Sequence, residues 1–167
     1  MRYSTVAAAA ALTLLTVSAS LHGQKSDAPV DPRSMALLAK GRAAQAAGNL
    51  DAATDVLETA LAVDPHNREA FVALGQVAQA RGLPGKAIRL YREALLLDPN
   101  DLVALKGQGV AYVDKGAVQR ARDNLARIKT VCGKEACAES GALAMVIAKG
   151  PPIATASVET RPKPATN

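Results

Sequence analysis

The stretch REAFVALGQVAQARGLPGKAIRLYREALLLDPND, residues 68–101, decides the fold because it contains two helix patterns and the signals that separate them. Apolar residues at spacings of three and four predict a first helix over residues 68–81. Gly82 follows, a residue type that commonly ends helices in the left-handed conformation. A second helix is predicted over residues 84–97. Asp98-Pro99 ends it, because proline restrains the preceding residue from helical geometry.

This helix-turn-helix pattern recurs every 34 residues. The residues that stay in phase are Gly41, Gly75 and Gly109; Gly48, Gly82 and Gly116; Ala53, Ala87 and Ala121; and Leu57, Tyr91 and Leu125. Small residues where two helices cross allow the helices to approach closely. Neither helix of a pair can bury its apolar face alone, so successive pairs must stack. We therefore predict repeats over residues 34–67, 68–101 and 102–133.

These residues resemble the tetratricopeptide repeat family, whose 34-residue pattern the second repeat follows closely. The matching residues are Phe71, Leu74, Gly75, Ala87, Tyr91, Ala94 and Pro99. The departures are Lys40 in the leucine slot of the first repeat, Ala78 in an aromatic slot of the second, and Ile128 and Gly133 in the third. The resemblance covers about 100 residues. It implies an all-α fold, a right-handed α-solenoid of three repeats with a C-terminal capping helix.

Solenoids of this family present a concave groove, lined by the first helix of each repeat, where a peptide docks. The resemblance implies that the partner-binding residues are Leu38, Arg42, Gln45, Glu69, Val72, Gln76, Gln79, Lys106 and Val110, with Met35, Val103 and Val113 beside them. Apolar, amide and cationic side chains together favour a protein or peptide segment with some acidic character. The alternative is a groove that the chain's own tail fills, or one that is only solvated.

One branch of the family binds the C-terminal carboxylate of chaperones with a ring of Lys, Asn and Arg. The corresponding slots in this chain carry Leu38, Arg42, Val72, Gln76, Val103 and Gly107. The ring is absent, so the resemblance disfavours capture of a chaperone's C-terminus.

The first 20 residues, MRYSTVAAAAALTLLTVSAS, have the layout of a secretory signal peptide. Arg2 gives a short basic start, and an uncharged apolar run follows over residues 6–17. This run is shorter than the ~20 residues of a membrane-spanning helix, which argues against a permanent anchor. An uncleaved anchor and a cytosolic alanine-rich terminus are the alternatives. Cleavage is expected after Ala19 or Ser20. We therefore predict an exported, periplasmic protein with a flexible lead-in over residues 21–33.

Composition and charge bear on other classes of function. The 167 residues carry a net charge of +5, and aromatic residues are only 2% of the chain. Stacking platforms for single-stranded nucleic acid are therefore lacking, and no nucleic acid partner is predicted. Contact with a membrane surface is open but not indicated. His22 and His66 have no evident catalytic partner, so we predict neither an enzyme nor a cofactor.

Cysteine occurs only in the stretch VCGKEAC, at Cys132 and Cys137. This stretch replaces the Asp-Pro turn that follows each of the first two repeats. An export signal and an even cysteine count favour a disulfide. A structural zinc site would need four ligands, and none is predicted. A redox pair and two free thiols are the remaining alternatives.

The chain beyond the cysteines divides into two parts. Residues 134–149 are predicted to contain a capping helix, beginning at Glu135, that covers the last apolar face of the stack. Residues 150–167 are rich in proline and threonine and are predicted to be a disordered tail. Together these features favour an exported scaffold or adaptor. The alternative is a structural or stress-related envelope module that self-associates and has no peptide ligand.

Overall fold

The computed structural model describes residues 29–133 and 137–152, and within them it contains seven α-helices and no strand. The helices are α1 (Pro32–Ala46), α2 (Leu50–Val63), α3 (Arg68–Ala80), α4 (Pro84–Leu97), α5 (Leu102–Asp114), α6 (Val118–Cys132) and α7 (Ala138–Lys149). None of these helices has the length and apolar character that a membrane span requires. The predicted all-α helical repeat solenoid is confirmed. The predicted signal peptide, most of the lead-in and the tail beyond residue 152 lie outside the described residues.

The helices form three antiparallel pairs, α1 with α2, α3 with α4 and α5 with α6, and each pair packs against the next. In the second repeat the predicted helix ends agree with the structure. Arg81 is the C-cap of α3, Gly82 follows with φ of +67°, and α4 spans Pro84–Leu97 as expected. A positive φ is strained for residues with a Cβ, which explains the glycine at this turn.

The structure differs from the sequence-based boundaries at both ends of the solenoid. The first helix begins at Pro32, inside the predicted lead-in, because Asp31 caps it by accepting a hydrogen bond from the N–H of Arg33 at 2.7 Å. The last helix begins at Ala138, three residues later than predicted. Cys137 therefore precedes α7 as its N-cap, with extended backbone geometry, instead of lying in the first turn.

Within the first two repeats, a glycine of one helix faces a large side chain of the other. A Cβ added to Gly41 would lie 2.5 Å from Cγ of Leu57, and one added to Gly75 would lie 2.7 Å from Cε1 of Tyr91. Side chains do not tolerate contacts this short, so the helix crossing requires glycine. The in-phase glycines of the sequence thus mark where the helices touch.

The third repeat uses the capping helix for the same purpose. Gly109 faces Leu143 of α7, and an added Cβ would lie 2.6 Å from its Cδ2. Leu143 is fully buried, and α7 packs against both α5 and α6. Leu143 also follows Gly109 by 34 residues, so it occupies the phase of the glycines in the three repeats. No second helix follows α7 among the described residues, so a large side chain at this phase can point back into the core.

Tyr91 is the largest buried side chain, and it joins the second and third repeats. Its ring lies between Gly75 of α3 and Gly107 of α5, where an added Cβ would approach Cε1 to 2.7 Å in each case. The hydroxyl group donates a hydrogen bond to Oε1 of Gln79 at 2.5 Å. Burial raises the pKa of the phenol above its ordinary value. Phe71 and Tyr112, the other aromatics of the repeats, are half-buried.

Consecutive repeats are also joined by polar side chains at their turns, and we call these contacts the turn ladder. In the first rung, the buried hydroxyl of Ser34 donates to the carbonyl oxygen of Ala60 at 2.7 Å and accepts from Nδ2 of Asn67 at 2.7 Å. Asn67 is the N-cap of α3, because its Oδ1 accepts from the N–H of Ala70 at 3.1 Å. One side chain thus caps a helix and binds the preceding repeat.

The second rung of the turn ladder is ionic and has the same spacing of 33 residues. The guanidinium of Arg68 donates to the buried carboxylate of Asp101, which also caps α5 by accepting from the N–H of Ala104 at 2.8 Å. A buried carboxylate is stable only when it is paired and hydrogen-bonded, and both conditions hold here. At the start of α1, and with the same spacing of 33 residues, the N–H of Asp31 donates to Oδ2 of Asp64 at 2.9 Å, and this bond lowers the pKa of that carboxyl.

We predict that Gly75→Ala lowers the free energy of unfolding by about 1–3 kcal/mol, because the new methyl group overpacks the Tyr91 ring. The control is Gly85→Ala in α4, where an added Cβ meets nothing within 4 Å. That change is expected to leave stability unchanged or to raise it by up to about 1 kcal/mol, since alanine favours helix. Urea denaturation measures both. Equal stability of the two variants would contradict the crossing contact.

We further predict that Asn67→Ala costs about 2–4 kcal/mol, because it removes a helix cap and a buried hydrogen bond. Asn49→Ala is the matched control: Asn49 caps α2 through Ala52 at 3.2 Å but is exposed. Its loss is expected to cost about 1 kcal/mol. If thermal and urea denaturation give the same cost for both variants, the turn ladder does not join the repeats.

Candidate functional site

The first helices of the repeats form the inner face of the stack. The backbones of neighbouring first helices approach each other closely, α1 to α3 and α3 to α5, whereas no two second helices among the described residues have Cα atoms within 8 Å of each other. A stack whose first helices lie closer together than its second helices must curve with the first helices inside. The concave surface that the resemblance implies is therefore formed by α1, α3 and α5, and α7 extends it by contacting α5.

Seven of the nine groove residues named from the sequence are open to solvent to some extent. Arg42 is exposed, and the half-buried ones are Gln45, Glu69, Gln76, Gln79, Lys106 and Val110. Met35 and Val103, which lie beside them, are each 39% exposed. The structure thus brings these residues to one face on three helices, and their contact with a partner stays a prediction.

Leu38 and Val72 lie in the core instead, with only 1% and 5% of their surface exposed. Leu38 belongs to a core cluster with Leu74 of α3, and Val72 belongs to one with Leu105 of α5. Each side chain is covered because the next first helix packs closely beside it. This corrects the assignment from the sequence: both residues support the groove from beneath and cannot contact a partner. Val113 is buried as well.

The charges of the groove are largely compensated. Nη2 of Arg42 on α1 lies 2.8 Å from Oε2 of Glu69 on α3, and both side chains are about half exposed. An exposed pair of this kind contributes only about 0–1 kcal/mol to stability. It does, however, reduce the positive charge that the sequence offered to an acidic partner. Lys106 is the remaining cation among the groove residues.

Gln79 is less available than the sequence indicates. Its Oε1 accepts the hydrogen bond from the buried Tyr91 hydroxyl, so this amide is held by the core. The side chains of Gln45 and Gln76 make no hydrogen bond to other described residues. These two amides are therefore the ones that can pair with the backbone of an extended segment.

A cleft of about 450 Å³ opens at the edge of the groove, beside the turns between repeats. Its apolar wall is formed by Val30, Met35 and Leu97. Its polar wall is formed by His66, Asn67, Arg68, Glu69 and Asp98. The cleft is large enough for one or two side chains and joins the groove at Met35 and Glu69.

Sequence reasoning found Met35 and Glu69 but missed the cleft. The cleft is built from the inter-repeat turns and from Val30, which precedes the first helix. Its shape depends on how α1 and α4 approach the turn before α3, and no residue pattern encodes that distance. The one available signal was the apolar Met35 at an exposed position of the first helix.

Arg68, which forms the second rung of the turn ladder, also pairs with acidic residues of the polar wall. Besides Asp101, the Arg68 guanidinium has Asp98 at 3.8 Å and Glu69 at 3.9 Å. Three carboxylates around one cation leave this edge without a positive excess. Charge therefore does not select an acidic partner at the cleft.

The arrangement offers little for catalysis. Nδ1 of His66 lies 3.6 Å from Oδ1 of Asp64, beyond hydrogen-bond length, and the imidazole is on an exposed turn. His22 lies outside the described residues. Among residues 29–133 and 137–152, no group of three or more His, Cys, Asp or Glu is placed to hold a metal ion.

The two cysteines lie at the turn between α6 and α7. Their Cα atoms are 6.1 Å apart, within the range of disulfides, and their sulfur atoms are at bonding distance. Gly133 makes this turn with φ of +67°. Both side chains are half-buried and pack against the larger core cluster, which includes the cap residue Leu143.

The tetratricopeptide repeat family model matches this chain over residues 38–101 and 72–130. The two matches together span residues 38–130, more than half of the 167 residues. They overlap in the second repeat, where the helix signals are clearest. No curated protein matches the chain in sequence.

Three solved structures show the same fold. The Sgt2 TPR domain from Aspergillus fumigatus is 25% identical, with a TM-score of 0.66 over 76% of this chain and 84% of that chain. The first TPR of Spaghetti (RPAP3) bound to the HSP90 peptide SRMEEVD is 18% identical, with a TM-score of 0.65 over 72% and 94%. SycD of Yersinia enterocolitica in complex with a YopD peptide is 18% identical, with a TM-score of 0.62 over 71% and 89%.

Proposed function

The chain belongs to the tetratricopeptide repeat family, and we propose on that basis that it is an exported interaction module that binds a protein segment in its concave groove. One observation carries the proposal: α1, α3 and α5 hold side chains open to solvent on one face, and two of these, Met35 and Glu69, also line the 450 Å³ cleft. Met35 and Val103, at corresponding positions of the first and third repeats, add exposed apolar side chains to this face.

The partner that fits this groove is a segment with apolar side chains and a free backbone. Met35, Val103 and Val110 offer apolar contacts, and the cleft accepts a side chain of the segment. Gln45 and Gln76 offer both donors and acceptors to backbone amides. Because Glu69 compensates Arg42, affinity should come mainly from apolar contact, and it should depend only weakly on salt.

The solved relatives support a peptide partner through what their structures contain. RPAP3 is bound to an HSP90 peptide, and SycD is bound to a peptide of the translocator YopD. In this chain the slots of the carboxylate-binding ring include the buried Leu38 and Val72. We therefore infer that the partner is not a chaperone C-terminus.

Export is the second part of the proposal. The N-terminal sequence supports it, and so does the cysteine pair, because an oxidising compartment keeps disulfides intact. A disulfide between Cys132 and Cys137 closes a small loop, for which the chain-entropy contribution is about 2 kcal/mol. This contribution acts at the end of the solenoid, where α7 would otherwise open first.

We predict that a photo-crosslinker at Gln76 captures one stoichiometric partner from the cell envelope, because Gln76 lies at the centre of the groove. The matched control carries the crosslinker at Arg89, which is exposed on the second helix of the same repeat. The yield at Gln76 should exceed that at Arg89 by about tenfold or more. Val110→Lys and Gln76→Ala should each weaken binding of the identified partner in titration calorimetry, because the first removes an apolar contact and the second removes an amide. Equal capture from both positions, or capture only of other copies of this chain, would contradict the groove and favour the self-associating alternative.

We also predict that the protein purified without reductant has no titratable thiol. A variant with Cys132→Ser and Cys137→Ser should lose hydrogen-exchange protection in α7 while α1 to α4 keep theirs, because the cross-link lies next to the cap. Mass spectrometry of exchanged peptides measures the difference. Two reactive thiols in the native protein would contradict both the disulfide and the oxidising compartment.

A further inference from the structure

The outer face of α7 is apolar and has no partner among the described residues. The exposed residues of α7 are Lys149 at its C-terminal end and, on this face, Ala138, Gly141, Met145 and Ala148. The latter four recur at spacings of three, four and three residues, which is the seam of two helices that pack along each other. Leu143, which is fully buried, lies on the opposite side of the helix. We call the four residues the outer seam.

The fold of one chain does not explain why the outer seam contains a large apolar residue at Met145 and a glycine at Gly141. Met145 is 70% exposed, although nothing about the solenoid requires a large apolar side chain there. Gly141 lies inside the helix, where glycine is unfavourable. A Cβ at Gly141 would meet nothing within 4 Å, and its φ is ordinary, so neither packing nor backbone geometry within the chain requires glycine.

We propose that the outer seam binds the outer seam of a second copy of this chain, with the two α7 helices antiparallel. In this arrangement Met145 of each copy fits over Gly141 of the other, where the missing side chain leaves room. Ala138 of each copy meets Ala148 of the other. Both pairs are symmetric about residue 143, as a twofold axis requires.

The charges at the two ends of α7 select the antiparallel direction. Glu139 and Lys149 are ten residues apart, about 15 Å along the helix, so they cannot pair with each other in one chain. Their midpoint lies within one residue of the twofold axis, so antiparallel pairing brings each Glu139 near Lys149 of the other copy. Parallel pairing would place both Glu139 side chains at one end and both Lys149 side chains at the other, so these ion pairs could not form. Alanine and glycine in the seam let the helices approach closely enough for these flanking side chains to meet.

The same charges also have a role within one helix, and the test must separate the two. An acid in the first turn and a base in the last turn both interact favourably with the helix dipole. Exchanging both charges would place an unfavourable charge at each end of a lone helix and destabilise it. It would restore the ion pairs of an antiparallel dimer.

The first experiment is sedimentation equilibrium of the purified full chain, from micromolar concentrations to about 1 mM, the weak end of the affinity scale. We expect a monomer–dimer equilibrium that Met145→Lys abolishes. Leu96→Lys is the matched control, because Leu96 is also 70% exposed but lies on α4. It should leave the dimer unchanged. Gly141→Leu should weaken the dimer while raising the melting temperature of dilute protein, since leucine favours helix.

The second experiment exchanges the charges. Glu139→Lys alone should raise the dissociation constant about tenfold at low salt, and combining it with Lys149→Glu should return it to within about threefold of the original. A double variant that dimerises more weakly than Glu139→Lys alone would show that the charges serve only the helix dipole, and would overturn the proposal. The proposal is also overturned if the wild-type chain is still a monomer at about 1 mM, whichever part of that chain covers the outer seam.

Discussion

The close approach of a glycine to a large side chain at each helix crossing is the contact on which the rest of the structure depends. Gly41 meets Leu57 and Gly75 meets Tyr91, each at a distance that excludes any other residue at the glycine. This contact fixes how near the two helices of a repeat lie, and therefore which faces remain to stack. The capping helix satisfies the same requirement for the third repeat, because Leu143 fills the space at Gly109.

Apolar crossings and the turn ladder have different roles in this architecture. The crossings are apolar and non-directional, so they determine distance more than orientation. The ladder contacts are directional hydrogen bonds and ion pairs between consecutive repeats, at Asn67 and at Asp101. Because each ladder residue also caps a first helix, the start of that helix is held relative to the repeat before it. The inner row of first helices, and the groove on it, follows from both sets of contacts.

The sequence predicted the repeats and most helix ends because those features depend on local residues in phase. Gly82, Pro84 and Pro99 act through local backbone preferences, so their effects can be predicted without a structure. The burial of Leu38 and Val72 was not predictable in this way, because it depends on the distance between neighbouring first helices. The position of Gln79 on its helix was predicted correctly. Its hydrogen bond with Tyr91 was not, because that bond depends on how two helices pack against each other. The cleft at Val30 and Leu97 combines segments far apart in sequence, and only the packed structure places them together.

A groove supported by buried leucine and valine, open at methionine, glutamine and valine, is suited to an apolar protein segment. The most direct measurement of this central claim is methyl NMR of the chain during titration with the partner identified by crosslinking. Methyl signals of Met35, Val103 and Val110 should shift together and saturate at one equivalent, while those of Leu96 and Val63 on the second helices should stay unchanged. Shifts confined to the second helices, or spread evenly over the molecule, would contradict binding in the groove.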